Sequence, residues 1–136
     1  MMKVNVNWSG NMAFEAEVNG FKLALDADEK VGGTNTGPRP KPLILVALGG
    51  CTGMDVVSIL DKMRIKPDYF NVEVSGEMTE EHPKYYNKLH IKYIFRGNDL
   101  PMDKLEKAVT LSQEKYCGVS EMLRKAAVIT HEIVVE

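Results

Sequence analysis

The chain has 136 residues, 44% of them hydrophobic and 26% charged, with a formal net charge of -2. That length and balance fit one soluble globular domain spanning residues 1–136 and argue against disorder. No run of Lys or Arg marks a phosphate-binding face, so nucleic acid is not an expected partner.

The N-terminus alternates polar and apolar residues through Val4, Val6 and Trp8, unlike the apolar core of a signal peptide. The longest uninterrupted apolar run, Leu43 to Leu48, is too short to span a bilayer. A cytoplasmic protein with no membrane partner is expected. In a reducing compartment two cysteines seldom form a permanent staple, so Cys51 and Cys117 are either buried bystanders or reactive thiols.

Phe14, Ala16 and Val18 alternate after a turn at Ser9-Gly10-Asn11. Asn19-Gly20 is a hairpin signal, and Phe21, Leu23 and Leu25 alternate beyond it. These segments predict a three-stranded antiparallel meander. Asp26 to Pro42 is rich in Gly, Pro and polar residues and predicts a long loop.

From Pro42 to about Met63 the pattern is helical and apolar around much of its girth in its first half, as in a central, buried helix. Pro42 suits the first helical position. Gly49-Gly50, each unfavourable in a helix by ~1 kcal/mol relative to Ala, suggests a bend or the close approach of another backbone. Tyr69–Met78 and Lys88–Phe95 read as strands. A helix opens at Leu100-Pro101-Met102-Asp103 and ends near Tyr116, a short helix covers about Ser120 to Ala126, and Ile129–Val135 closes as a strand. The order is β-β-β-α-β-β-α-α-β, an α+β arrangement.

Cys51 follows Gly49-Gly50, small neighbours that leave room for a substrate or a second sulfur. Cys117 sits at a helix-to-helix junction, where free N–H groups would favour a thiolate. The two lie almost half the chain apart, so neither a CxxC motif nor zinc spacing applies. Both could equally be core filler. His82, His90 and His131 share no ligand-like spacing, and no metal or other cofactor is expected.

Gly37-Pro38-Arg39-Pro40, an apolar helix reaching Ala47-Leu48-Gly49-Gly50-Cys51-Thr52, and then Asp55-Val56-Val57-Ser58-Ile59-Leu60 resemble the first signature of OsmC/Ohr proteins. Glu114-Lys115-Tyr116-Cys117, Val119-Ser120 and a closing Ile129-Thr130-His131 strand resemble the second. The resemblance covers nearly the whole chain and looks closest to the YhfA-like branch. It implies an OsmC-like fold in which curved antiparallel sheets wrap around two central cysteine-bearing helices of an intertwined homodimer.

The resemblance also implies thiol-dependent reduction of an organic hydroperoxide or hydrogen peroxide. Cys51 would become a sulfenic acid, Cys117 would condense with it to a disulfide, and an external dithiol would reduce the pair. In the family an arginine from the N-terminal strands, held by a glutamate, lowers the pKa of the attacking thiol. Here Pro42 stands at the glutamate position, and Val4 to Leu25 contains no arginine. Arg39 is the nearest arginine in sequence and the candidate third site residue. The alternative is a non-catalytic dimer that binds an apolar ligand or senses redox state.

Overall fold

The computed structural model describes all 136 residues. The chain divides into two compact units, Met1–Ile44 and Leu45–Glu136.

The first unit is an antiparallel meander of β1 (Asn5–Gly10), β2 (Ala13–Val18) and β3 (Phe21–Leu25). Asn19 and Gly20 both have positive φ, 52° and 83°, as the tight hairpin between β2 and β3 requires. Register pairs Val6 with Ala16, Trp8 with Phe14, Ala16 with Leu23 and Val18 with Phe21, so one face of the sheet is apolar. Asn5, Asn7, Glu15, Glu17 and Lys22 alternate onto the other face. The apolar face is largely uncovered: Trp8 is 68% and Phe21 76% exposed, and only Ala16 among these residues is buried.

The loop after β3 is less irregular than its composition predicts. Asp26, buried, accepts hydrogen bonds from the N–H of Ala27 (2.7 Å) and from the N–H and hydroxyl of Thr34 (3.2 and 2.9 Å) and Thr36 (3.0 and 2.7 Å). A 3-10 turn, Glu29–Val31, lies within this clamp. A Cβ at Gly33 would sit 2.0 Å from the Ala27 carbonyl oxygen, so only glycine lets the loop close.

The second unit holds most of α1 (Pro42–Lys62), then β4 (Tyr69–Met78), β5 (Tyr86–Arg96), α2 (Met102–Leu111), α3 (Gly118–Arg124) and β6 (Val128–Val135). β4 and β5 form an antiparallel hairpin, and β6 pairs with β5 in parallel, so this sheet is mixed. The parallel pairing follows from the helical connection between β5 and β6, which returns the chain to its starting end. Leu89, Ile91, Tyr93 and Phe95 of β5 are buried on one face, and Phe70 stacks on Phe95 with centroids 4.5 Å apart.

α1 packs on that face through Leu48, Thr52, Val56 and Leu60, a buried stripe repeating every four residues. Gly49 and Gly53 make room for side chains of β4, whereas a Cβ at Gly50 would meet nothing within 4 Å. A Cβ at Gly49 would meet Val74 Cγ2 at 3.2 Å, and one at Gly53 would meet Val72 Cγ2 at 3.3 Å. The helix is not buried all round, as its apolar girth predicts. Val46, Met54 and Val57 are 65%, 76% and 53% exposed, because a single sheet covers only one side. The helix is also long and apolar enough to cross a membrane by length and composition, which the run Leu43–Leu48 alone is not.

The Asp26 clamp generates a prediction. The Thr36 hydroxyl, then the Thr36 and Ala27 N–H groups, hold the Asp26 carboxyl well below the usual carboxylate range. Its stabilising contribution is complete above the unfolded value of about 3.9 and is lost as pH falls toward the depressed folded value. Asp26→Ala lowers the melting temperature by several degrees at pH 7 and exposes the 26–37 loop to protease. The difference from wild type shrinks when melting is followed into acid.

Candidate functional site

The site begins on α1. Cys51 and Asp55 are one helical turn apart and project from the same face, flanking the buried stripe at Thr52. Cys51 is half-buried; Thr52 is fully buried.

The second cysteine is placed by a change of helical pitch. α2 buries Leu105, Ala108 and Val109, then widens into a π-helical turn at Ser112–Tyr116. The Cys117 N–H donates to the Ser112 carbonyl at 2.7 Å, closing that wide turn. Cys117 then caps α3, its Sγ accepting from the Ser120 N–H at 3.4 Å. The extra residue in the turn carries Ser112 and Gln113 into the interior, where both are buried.

These side chains form one hydrogen-bonded chain whose direction is determined by donor counting. The Ser112 hydroxyl donates to Asp55 Oδ2 (2.9 Å), spending its single proton. Thr52 Oγ1, 2.7 Å from Ser112 Oγ, must therefore donate to it. The Tyr93 hydroxyl, 2.7 Å from Thr52 Oγ1, must in turn donate to Thr52. Gln113 Nε2 donates to both Thr52 Oγ1 (3.1 Å) and Tyr93 Oη (3.0 Å). Arg124 Nη2 completes the network by donating to the Gln113 carbonyl and to its Oε1. The hydroxyl protons of Tyr93, Thr52 and Ser112 thus run in one direction, ending at Asp55 Oδ2, which accepts.

At the end of this chain Cys51 Sγ, Cys117 Sγ and an Asp55 oxygen all lie within 4.8 Å of one another. Both cysteines are free thiols. Burial pushes the Cys51 thiol up, and the neighbouring Cys117 and the Asp55 carboxylate push it further; the Val119 N–H opposes them. None of these leading contributions comes from a cation. Burial likewise raises Tyr93, the innermost hydroxyl of the network.

Of the three site residues expected from sequence, the structure brings Cys51 and Cys117 together. Arg39 lies in the first unit, where its Nη1 donates to Asn35 Oδ1 (2.7 Å) and the Gly37 carbonyl (3.1 Å) and its Nη2 reaches Asp28 Oδ2 at 3.4 Å. His90 bridges Thr130 (2.7 Å) and Glu132 (2.6 Å) on the neighbouring strand. His131 packs edge-on to Tyr93, where burial lowers its pKa. Asp55 and the polar chain behind it were not anticipated as site residues. Two signals point to them: the i, i+4 spacing of Cys51 and Asp55, and polar groups at Thr52 and Tyr93 on otherwise apolar faces.

Replacing Asp55 with Asn removes the negative charge that opposes ionisation of Cys51 while keeping an acceptor for Ser112. Asp55→Asn therefore makes Cys51 react several-fold faster with iodoacetamide at neutral pH in a Cys117→Ser background. An unchanged rate shows that the carboxylate does not act on the thiol.

The chain is similar to known proteins in sequence and in fold. Residues 33–132 match the OsmC-like protein family. Protein YhfA of Escherichia coli is 36% identical over 131 residues, covering 96% of this chain and 95% of that protein. The crystal structure of a protein from Aquifex aeolicus superposes with a TM-score of 0.83 at 31% identity, covering 100% of this chain and 98% of the other. The organic hydroperoxide resistance protein OhrB of Bacillus subtilis shares the fold, with a TM-score of 0.64 at 16% identity over 98% of this chain and 97% of its own. By sequence and by fold, the chain belongs to the OsmC-like family.

Proposed function

We propose that the protein is a thiol-dependent peroxidase that reduces organic hydroperoxides, or hydrogen peroxide, through Cys51 and Cys117. The observation that carries this reading is the meeting of the two sulfurs, within 4.8 Å, from opposite ends of a long stretch of sequence. Cys51 is the more accessible, and Cys117 is 3% exposed. Cys51 is thus the attacking thiol: its thiolate takes the terminal peroxide oxygen and becomes a sulfenic acid, and an alcohol leaves. Cys117 displaces water from that sulfenic acid to form the disulfide, and an external dithiol returns both thiols.

The electrostatics set a limit on this chemistry. A thiol raised by burial and by a neighbouring carboxylate is a slow nucleophile at neutral pH. The reading therefore needs a cation, and Arg39, which here pairs with Asp28, is the candidate. The same observation favours a second reading, in which the dimer is non-catalytic and the cysteines report redox state or border an apolar ligand.

The reading also includes a homodimer, in a cytoplasmic setting that supplies the reductant. Each unit exposes an apolar face that water would penalise: Trp8 and Phe21 on the first sheet, Val46, Met54 and Val57 on α1. At about 25 cal/mol per Å2 of apolar surface, covering such faces is a strong drive to associate. Sedimentation at micromolar concentration shows one species of twice the chain mass; a well-folded monomer contradicts it.

Turnover of cumene hydroperoxide with a dithiol separates the two readings. Cys51→Ser abolishes it. Cys117→Ser leaves a sulfenic acid on Cys51 that a dimedone-type trap captures. Arg39→Ala lowers the rate by about ten-fold or more, the scale of losing a charged partner at a reacting group. Wild-type protein that consumes no peroxide supports the non-catalytic reading.

A further inference from the structure

We propose that Cys51, Asp55 and Cys117 are the protein ligands of a site for one divalent ion of the zinc class per chain. Two sulfurs and one carboxylate oxygen converge within 4.8 Å. At zinc bond lengths of about 2.3 Å to sulfur and 2.0–2.2 Å to oxygen, donors around one tetrahedral ion lie about 3.5–3.8 Å apart. Small side-chain rotations bring the three donors to that spacing, because each backbone is already placed. Cys51 and Asp55 share one face of α1, and the π-helical turn fixes Cys117 opposite them.

The carboxylate is prepared as a ligand. Ser112 holds Oδ2, and Oδ1 carries no hydrogen bond and can face the ion. Behind Ser112 the donors Thr52, Tyr93 and Gln113 fix its orientation, as the outer shell of a metal site does.

The donor set selects the ion. Thiolates suit zinc and its neighbours, whereas magnesium and calcium take oxygen ligands. Three protein ligands leave the fourth position to water. Each thiol that ligates loses its proton to solvent, and no electrons move. The metal-bound form and the disulfide use the same two sulfurs, so each state excludes the other. Zinc would thereby hold the pair reduced, and two-electron oxidation of the pair to the disulfide by a peroxide, itself reduced to alcohol or water, would release the ion. This assignment stands whether or not the protein turns over peroxide.

The test is titration of reduced, tag-free protein with Co2+ and then Zn2+, followed by absorbance and by competition with a chromogenic chelator. The expected result is one ion per chain, with thiolate-to-cobalt charge transfer in the near ultraviolet and the visible bands of a tetrahedral ion. Zinc bleaches these bands and protects both cysteines from alkylation. Cys51→Ser or Cys117→Ser lowers affinity sharply and weakens the charge transfer. Asp55→Asn keeps the charge transfer but weakens binding by about ten-fold or more. Wild-type protein carrying the Cys51–Cys117 disulfide, which needs no substitution, does not bind. Several outcomes overturn the assignment: no charge transfer in reduced wild-type protein, equal binding by oxidised protein, or affinity untouched by Asp55→Asn. Binding that survives both serine substitutions would place the ion on surface groups such as His90 and Glu132, and overturns it as well.

Discussion

The hydrogen bond from Ser112 to Asp55 is the link on which the site depends. It joins α1 to the π-helical turn across the interior, and through Thr52 and Tyr93 it joins both to β5. Buried hydroxyls that find no partner cost about 1–3 kcal/mol each, so the chain of donors penalises any other seating of α1 on the sheet. Cys51 precedes Thr52 by one residue, and Cys117 follows Ser112 by one wide turn. Fixing Thr52 against Ser112 therefore fixes one sulfur near the other. The proximity of the cysteines follows from polar satisfaction deeper in the core.

The same network explains why the site is electrostatically unusual. A peroxidatic thiol is ordinarily favoured by a nearby cation, yet here the closest fixed charge is a carboxylate oriented by four polar side chains. Asp55 disfavours the Cys51 thiolate, and burial disfavours it more. A cation beside Cys51, either a guanidinium or a metal ion, would offset both effects. Those two possibilities lead to different chemistry from one set of side chains, the first toward attack on peroxide and the second toward a protected, reduced pair.

Much of the fold was legible in the chain. The alternation of Phe14, Ala16 and Val18, the Asn19-Gly20 turn and Pro42 at the helix start place their elements almost to the residue. The two cysteine motifs were legible only through resemblance, because spacing along the chain carries no information about meeting in space. Asp55 was harder to see: an acidic residue on a helix is usually a solvated one. Its role emerges only once the π-helical turn delivers Ser112 to it, and that turn leaves no clear mark in Ser112-Gln113-Glu114-Lys115-Tyr116. Within one chain α1 keeps Val46, Met54 and Val57 exposed, and its expected burial rests on a second copy. Apolar girth tells that a helix will be covered, but not whether its own chain does the covering.

The central claim is that Cys51 and Cys117 act as one two-electron pair, and its most direct measurement is a single-turnover stoichiometry. Reduced protein mixed with one equivalent of an organic hydroperoxide per chain, with no external dithiol, is followed for alcohol formed, thiols lost and disulfide mapped by mass spectrometry. The account predicts one alcohol per chain, the loss of both thiols together and an intramolecular Cys51–Cys117 disulfide. Peroxide that survives while both thiols remain free, or a disulfide formed between chains instead, would contradict it.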